Sequence, residues 1–362
     1  MNVFLKLFRK LDWWLIGSVM ILSLIGLSAI YSVDLSKGQD LIYIPKQLIA
    51  LVIGLFFLFI SANLQVSFYE NSAKFFYIFS IILLIAVLFF GENIRGTTGW
   101  FKIFGFSFQP AEFAKLALVI FLAWRIERQA RRFEKWQFVL VLFVLSFLPF
   151  VLILLQPDLG SGLIFMGVWF MFLLAVGVKK KYLAVIVLSG IFVFLSAWFL
   201  LFQDYQKNRI LTFLNPEADP LGSGYNVTQS IIAIGSGQIS GRGLGFGSQS
   251  QLHFLPEAQT DFIFAVIGEE MGFFGAGLAL ILYIIMIWRL FDIAQCSKND
   301  FSAYLVLGIS FIFFFQIIIN IGATVGILPV TGVTLPFLSY GGSSMIINLF
   351  LIGIAESVAK TV

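Results

Sequence analysis

The sequence predicts an all-α polytopic membrane protein with ten transmembrane helices, both termini cytoplasmic, and a large extracytoplasmic loop between helices 7 and 8. Three observations carry this. Composition is the first: 60% of the 362 residues are hydrophobic, 12% are charged, and mean hydropathy is +0.98. A water-compatible surface needs roughly a quarter of its residues charged, so this chain must face lipid. The second is a series of ten apolar runs near the ~20 residues that a helix needs to cross the hydrocarbon. The third is the alternation of basic and non-basic loops between those runs.

The first span, 12–33, follows Lys6, Arg9 and Lys10. It is too long for a signal-peptide core and has no small-x-small cleavage site, so it reads as a retained span. The others are predicted at 42–62, 73–90, 110–126, 138–156, 160–178, 182–202, 261–289, 301–326 and 343–360. With the N-terminus inside, Lys37, Arg95, Lys102, Lys207, Arg209 and Arg242 lie outside, and Lys46 and Lys115 lie within spans. The remaining Lys and Arg residues fall inside, which fixes the orientation.

The inside loops are short and basic, and the unusual sequence is outside. One outer loop runs from Gly91 to Gln109, a second from Gln203 to Thr260, and a third from Ile327 to Gly342. The second contains Ser230-Ile231-Ile232-Ala233-Ile234 and a run of glycines from Gly222 to Gly247. That is backbone packed at the membrane surface or lining a cavity, with too little apolar mass for a second domain. The chain is therefore read as one domain, 1–362. The third loop, with Pro329, Pro336, Gly332, Gly341 and Gly342, is a shaped, non-helical backbone of the kind tolerated at membrane depth only where it is buried or lines a cavity.

Several function classes are set aside. A single cysteine, Cys296, allows no internal disulfide, and a single histidine, His253, allows no multi-His metal site. No G-x-x-x-x-G-K, H-E-x-x-H or G-x-S-x-G motif occurs, which argues against ATP or serine hydrolysis. The net charge of +4 is a matter of loop orientation and does not imply a nucleic-acid partner.

The candidate chemistry centres on Pro256-Glu257-Ala258-Gln259-Thr260-Asp261, where the chain enters a span. Ionisable groups at hydrocarbon depth face a cavity or a partner. Asp261 reads as a general base or metal ligand at the outer face, or as a helix N-cap. Glu269, eight residues on, reads as a cavity-facing group or half of an interhelical ion pair, with Glu270 pointing the other way. Glu112 and Lys115 share a helix face behind Pro110, as a local ion pair or with Lys115 turned to a diphosphate. Lys46 reads as a substrate cation or a snorkelling side chain. Asp158 reads as a site carboxylate or a turn former. Lys207 and Arg209, outside against the charge bias, read as phosphate contacts or a solvated pair.

The motifs resemble those of the SEDS family of cell-shape, division and sporulation proteins. They are Gln109-Pro110-Ala111-Glu112 with Lys115, Gln156-Pro157-Asp158-Leu159-Gly160, Asn215-Pro216-Glu217, Gly224-Tyr225 and Ala233-Ile234-Gly235-Ser236-Gly237. Leu255-Pro256-Glu257, Thr260-Asp261-Phe262, Glu269-Glu270, Asn320-Ile321-Gly322 and Leu335-Pro336-Phe337-Leu338-Ser339-Tyr340-Gly341-Gly342 complete the set. The stretch Gly247-Ser248-Gln249-Ser250-Gln251-Leu252 looks more like the elongation (RodA) branch than the division (FtsW) branch. Three positions depart from the family pattern: Gln259 stands for His, Ala111 for Ser, and Gly99 for Arg, leaving Arg95 as the nearest cation to Trp100.

The resemblance implies a peptidoglycan glycosyltransferase that polymerises lipid II at the outer face of the cytoplasmic membrane during elongation. It implies a class B penicillin-binding protein as crosslinking partner, together with the elongation machinery and membrane lipid. It implies Asp261 as the catalytic residue. Lys46, Glu112, Lys115, Asp158, Lys207, Arg209, Glu257 and Glu269 form the candidate substrate-binding set. No cofactor is certain; a divalent cation, Mg or Mn, held by Asp261 is the other role for that carboxylate. An α-linked donor giving a β-linked product needs one base at the acceptor hydroxyl and cations at the leaving diphosphate. The alternatives are a division-branch polymerase and a transporter that flips lipid II. A transporter needs access from both faces, whereas the unusual sequence here gathers on one.

Overall fold

The computed structural model describes residues 11–200 and 223–361, except 37, 39, 40, 95, 104, 105 and 130–134, together with residues 207, 211 and 213. In chain order the elements are α1 (Trp13–Leu35), α2 (Tyr43–Asn63), α3 (Val66–Phe90), β1 (Glu92–Ile94), β2 (Thr97–Ile103), β3 (Phe106–Phe108), α4 (Pro110–Glu127), α5 (Trp136–Leu154) and α6 (Leu159–Val176). Then follow α7 (Lys180–Leu200), α8 (Ser223–Ser236), α9 (Ser248–Gln251), α10 (Ile263–Cys296), α11 (Asp300–Thr324) and α12 (Gly342–Ala359).

Among the described residues, nine helices are long and apolar enough to cross a membrane. A helix, α4, also stands at the fourth predicted position. It carries Glu112, Lys115, Arg125 and Glu127 and is not one of those nine. It is also among the most buried helices, with Leu116, Ala117, Val119, Ile120 and Leu122 inaccessible. A charged helix can sit in the bundle because protein, not lipid, surrounds it.

The central helices approach closely where side chains are small. Gly353 of α12 lies against Leu58 and Ser61 of α2, and Gly54 of α2 against Leu349. At the end of the bundle remote from the loops described below, Arg289 of α10 reaches Asp12 (2.5 Å) and Asp292 (2.6 Å). The Asp12 amide donates to Glu356 of α12 at 3.0 Å. One ion network thus ties α1, α10 and α12 together. By contrast, none of the described residues in the most apolar stretch of α7 is buried.

The structure adds three features to the sequence reading. First, the outer loop 91–109 contains a three-stranded antiparallel sheet in the order β1-β2-β3. Trp100 pairs with Glu92, and Phe101 with Phe108. Thr and aromatic residues favour strands, but a seven-residue strand between two of three residues has too little alternation to stand out. Second, the long outer loop is not without secondary structure: it holds α8 and the single turn α9. Ser230 of α8 donates to Thr324 O of α11 at 2.7 Å.

Third, the span that begins near 261 is not one continuous helix. Gly272 has φ 66° and ψ −161°, so α10 is two helices meeting at a break. Only glycine adopts this backbone readily. The groups freed there are met by the glycine-rich loop. Phe273 and Phe274 donate to Gln238 O and Ile239 O, while Arg242 and Gly243 donate to Glu269 O and Glu270 O. Irregular backbone near the membrane survives when its polar groups are paired in this way.

Candidate active site

Residues 326–341 turn back into the bundle. Leu335, Phe337, Leu338 and Ser339 are buried, and Gly26 of α1 lies directly against Phe337 and Leu338. Gln47 of α2 donates to Ser339 O (3.2 Å) and accepts from the Gly341 amide (3.1 Å). Tyr283 of α10 donates to Pro336 O at 2.6 Å. The loop is therefore a fixed part of the core.

This loop holds the backbone leading to Asp261. Ser339 Oγ donates to Thr260 O (2.6 Å) and accepts from the Leu335 amide (2.8 Å). The Tyr340 amide donates to Gln259 O at 2.8 Å. Asn320 of α11 donates through Nδ2 to Asp261 O (3.0 Å) and Val333 O (2.8 Å). Three consecutive carbonyls, 259 to 261, are thus fastened by three different residues. The N-cap position of α10 falls on Phe262, with no side-chain capping bond, so Asp261 is not the cap. The residue keeps partial exposure. Glu257 lies beside it in sequence with positive φ, 51°, and its Oε2 accepts from Gln259 Nε2 (3.2 Å) and Thr260 Oγ1 (3.1 Å).

A second group of charges lies across the same loop. Lys115 Nζ and Glu112 Oε2 are 2.8 Å apart, with side chains only 3% and 5% exposed. Asp158 caps α6 by accepting from the Ser161 amide (2.9 Å), and its other oxygen accepts from Gln109 Nε2 (3.1 Å). Asp158 keeps some solvent contact, yet dense packing pushes its carboxyl above the usual carboxylate range. The Ser161 amide and Lys115 oppose that shift, and Glu112 adds to it. Ser343, at the start of α12, accepts from the Gln109 amide (3.2 Å) and donates to Ser107 O (2.7 Å). Residues 331–333 run between the two groups. Gly160 lies against Thr331 and Val333, and a Cβ on Gly332 would be 3.8 Å from Asp261 Oδ2.

The other predicted site residues are placed as follows. Lys46 is exposed on the first turn of α2, next to the buried Gln47. Lys207 is half-buried. Arg209 and Arg95 lie outside the described residues. Glu269 is buried away from the loop 326–341. It accepts from the amides of Gln249 (2.7 Å) and Ser250 (3.0 Å) and from Ser248 Oγ (3.4 Å). Glu270 accepts from Ser32 Oγ at 2.5 Å. Among the described residues no group of three or more His, Cys, Asp or Glu side chains could hold a metal. A cation at Asp261 would have to draw most of its ligands from the substrate.

Sequence reasoning passed over Gln47, Ser339 and Ser343, which position the loop. Gln47 carried a usable signal: a polar amide inside an apolar helix seeks a partner.

The arrangement is a partly exposed aspartate and a buried lysine flanking one rigid stretch of backbone. It can accept a proton on one side and offset phosphate charge on the other. Comparisons with known proteins give the family. The profile of the FtsW/RodA/SpoVE family, described as cell cycle protein, matches residues 5–362. The chain is 39% identical over 325 residues to the peptidoglycan glycosyltransferase MrdB of Escherichia coli, covering 89% of this chain and 87% of that protein. It is 38% identical over 364 residues to the probable peptidoglycan glycosyltransferase FtsW of Haemophilus influenzae, covering 96% and 89%. Its fold matches a chain from a structure on the coordination of polymerisation and crosslinking by a peptidoglycan synthase complex. The TM-score is 0.81 at 30% identity, with 97% and 98% of the two chains covered.

Proposed function

The chain belongs to the FtsW/RodA/SpoVE (SEDS) family and is a peptidoglycan glycosyltransferase, and from that premise we propose that it polymerises lipid II into glycan strands during cell elongation. It does so in the bacterial cytoplasmic membrane, crossing it ten times with both termini inside and its active face outside. The fourth crossing is α4, and the basic inside loops support this orientation. A class B penicillin-binding protein crosslinks the product.

The observation that carries the reading is the fastening of Asp261. Its backbone and the two preceding carbonyls are held by Asn320, Ser339 and Tyr340, while the residue as a whole stays partly exposed. A base must be held within hydrogen-bond reach of the proton that it takes, and a rigid backbone does this at no cost during reaction. Asp261 takes the proton of the acceptor 4-hydroxyl as it attacks the donor's anomeric carbon. Lipid diphosphate leaves with inversion. Lys115 offsets charge on the leaving diphosphate, with Glu112 and Asp158 setting the field around it. Glu257 orders Gln259 and Thr260. Lys46, Lys207 and Arg209 contact the substrate's phosphates. A divalent cation, if used, would be held by Asp261 and would supply charge neutralisation for the leaving diphosphate.

A division-type role is the second reading, since identity to the FtsW relative (38%) nearly equals that to MrdB (39%). The test is incubation of the purified chain and its transpeptidase with lipid II in detergent. Detergent abolishes compartments, so flipping yields no product. Glycan ladders are expected. Their absence, with lipid II crossing liposome bilayers that carry the chain, would overturn the enzyme reading in favour of a flippase.

A further inference from the structure

The segment that presents Glu257 and Asp261 is closed on itself. It leaves α9 at Gln251 and passes Glu257, Gln259, Thr260 and Asp261. It then enters the first half of α10, where every residue from Ile263 to Glu270 is buried. At the end of that half-helix the Glu269 carboxylate returns to the beginning of the segment. Its two oxygens accept from the amides of Gln249 at 2.7 Å and Ser250 at 3.0 Å. These are amides in the first turn of α9, where a carboxylate is favoured. Glu269 is fully buried, and bonds from amides to an ionised carboxylate are the strong kind.

The neighbouring Glu270 secures the same turn from the other side. Its Oε1 accepts from Ser250 Oγ (3.3 Å) and Gln251 Nε2 (3.3 Å), and from Ser32 of α1. Gln251 also donates to Ser32 O at 3.0 Å. The room for this arrangement comes from Gly247. A Cβ there would lie 2.4 Å from Ser250 Oγ and 2.6 Å from Glu269 Oε2, so any larger residue displaces the carboxylate.

We infer that Glu269 is a positioning residue: its carboxylate buckles residues 249–269 into a closed unit that sets where Asp261 meets the acceptor. The unit is then fixed in two places. The buckle joins its two ends, and Asn320, Ser339 and Tyr340 hold residues 259–261 between them. Closing a flexible loop of this length removes conformational freedom that would otherwise spread into the site. Glu269 does not touch substrate, because its oxygens are taken by the chain itself. The inference rests on the glycosyltransferase reading for its consequence in activity, but not for its structural content.

Two variants test it from different directions. Glu269→Gln removes the charge and turns one acceptor into a donor facing an amide. Gly247→Ala leaves the carboxylate in the sequence and pushes it aside. Each would be purified at full length with its transpeptidase. Hydrogen exchange would be read by mass spectrometry alongside initial rates of lipid II polymerisation. Exchange in peptides spanning 249–261 is expected to rise about tenfold or more in both variants, since buried charge-assisted bonds are lost, while peptides of α11 stay protected. Turnover is expected to fall about tenfold or more with KM within about twofold, the signature of lost alignment rather than lost binding. Unchanged exchange in 249–261, or wild-type turnover in Gly247→Ala, would overturn the inference. So would a raised KM at constant turnover, which would make Glu269 a substrate contact. If wild type makes no polymer, the glycosyltransferase reading fails instead, and the exchange result still decides whether the buckle exists.

Discussion

Breaking the Lys115–Glu112 pair from one side should cost far more than removing it whole. Both side chains are almost wholly buried and their charges are 2.8 Å apart. Leaving one charge of a buried pair without its partner costs about 3–5 kcal/mol, whereas exchanging both for apolar groups of similar volume is often neutral or stabilising. Glu112→Leu is therefore expected to destabilise the protein by about 3–5 kcal/mol. Lys115→Met should do the same, and the double variant should lie within about 1 kcal/mol of wild type or above it. A double-variant cycle on detergent-solubilised protein, read by thermal or denaturant unfolding, gives the coupling directly. Activity separates the roles. If Lys115 offsets diphosphate charge, the stable double variant polymerises lipid II at least about a hundredfold more slowly. A double variant as unstable as the single ones would refute the assignment of a coupled buried pair. One that is stable and fully active would refute the role of Lys115 at the diphosphate.

Other perturbations have defined outcomes. Gly332→Ala puts a side chain on a backbone with φ 76° beside Asp261; turnover should fall about tenfold, and stability by about 1–3 kcal/mol, the cost of a side chain at positive φ. Gly272→Ala would bring a Cβ to 2.2 Å from the Gly241 amide nitrogen, and should lower stability by more than about 1 kcal/mol and loosen peptides around 238–243 in hydrogen exchange. Asp158 has a raised carboxyl pKa, so its folded state binds protons more tightly than its unfolded state. Stability therefore falls as pH rises from about 4 through the folded-state pKa. Asp158→Asn keeps the capping oxygen and escapes this loss, so its stability relative to wild type should grow with pH over that window, as pH-stepped unfolding would reveal. Raising Mg or Mn should not rescue Asp261→Asn, because more metal does not restore a proton acceptor; partial rescue in metal-titrated polymerisation would give Asp261 the ligand role instead.

Much of the membrane architecture was readable because helix length and apolarity are local properties. A helix stands at each predicted position, α4 included, since Pro110 and a long apolar face outweigh its four charges. The buried third loop was readable from its glycines and prolines. What escaped was set by distant partners. Nothing near Gly272 announces a break, since an isolated glycine in a long apolar run is common, and the bonds that stabilise it come from residues 238–243. Glu269 read as a cavity-facing group or half of an interhelical ion pair; its carboxylate is taken instead by the amides of 249 and 250, which nothing local in the sequence announces. Asp261 was found by its position at the edge of an apolar run. Its fastening by Asn320, Ser339 and Tyr340 depends on chain segments some 60 to 80 residues away, as the separations of 59 and 79 between bonded residues show.

The claim that matters most is that Asp261 performs the polymerisation. The direct measurement is the rate of glycan-strand formation from lipid II by the purified chain with its transpeptidase, for wild type, Asp261→Ala and Asp261→Asn. The variants must elute and melt as wild type does. Polymer from wild type and a drop of at least about a thousandfold in both variants is the predicted result. Folded Asp261→Ala protein that polymerises within tenfold of wild type would contradict the account, and would move the proton acceptor elsewhere in the site.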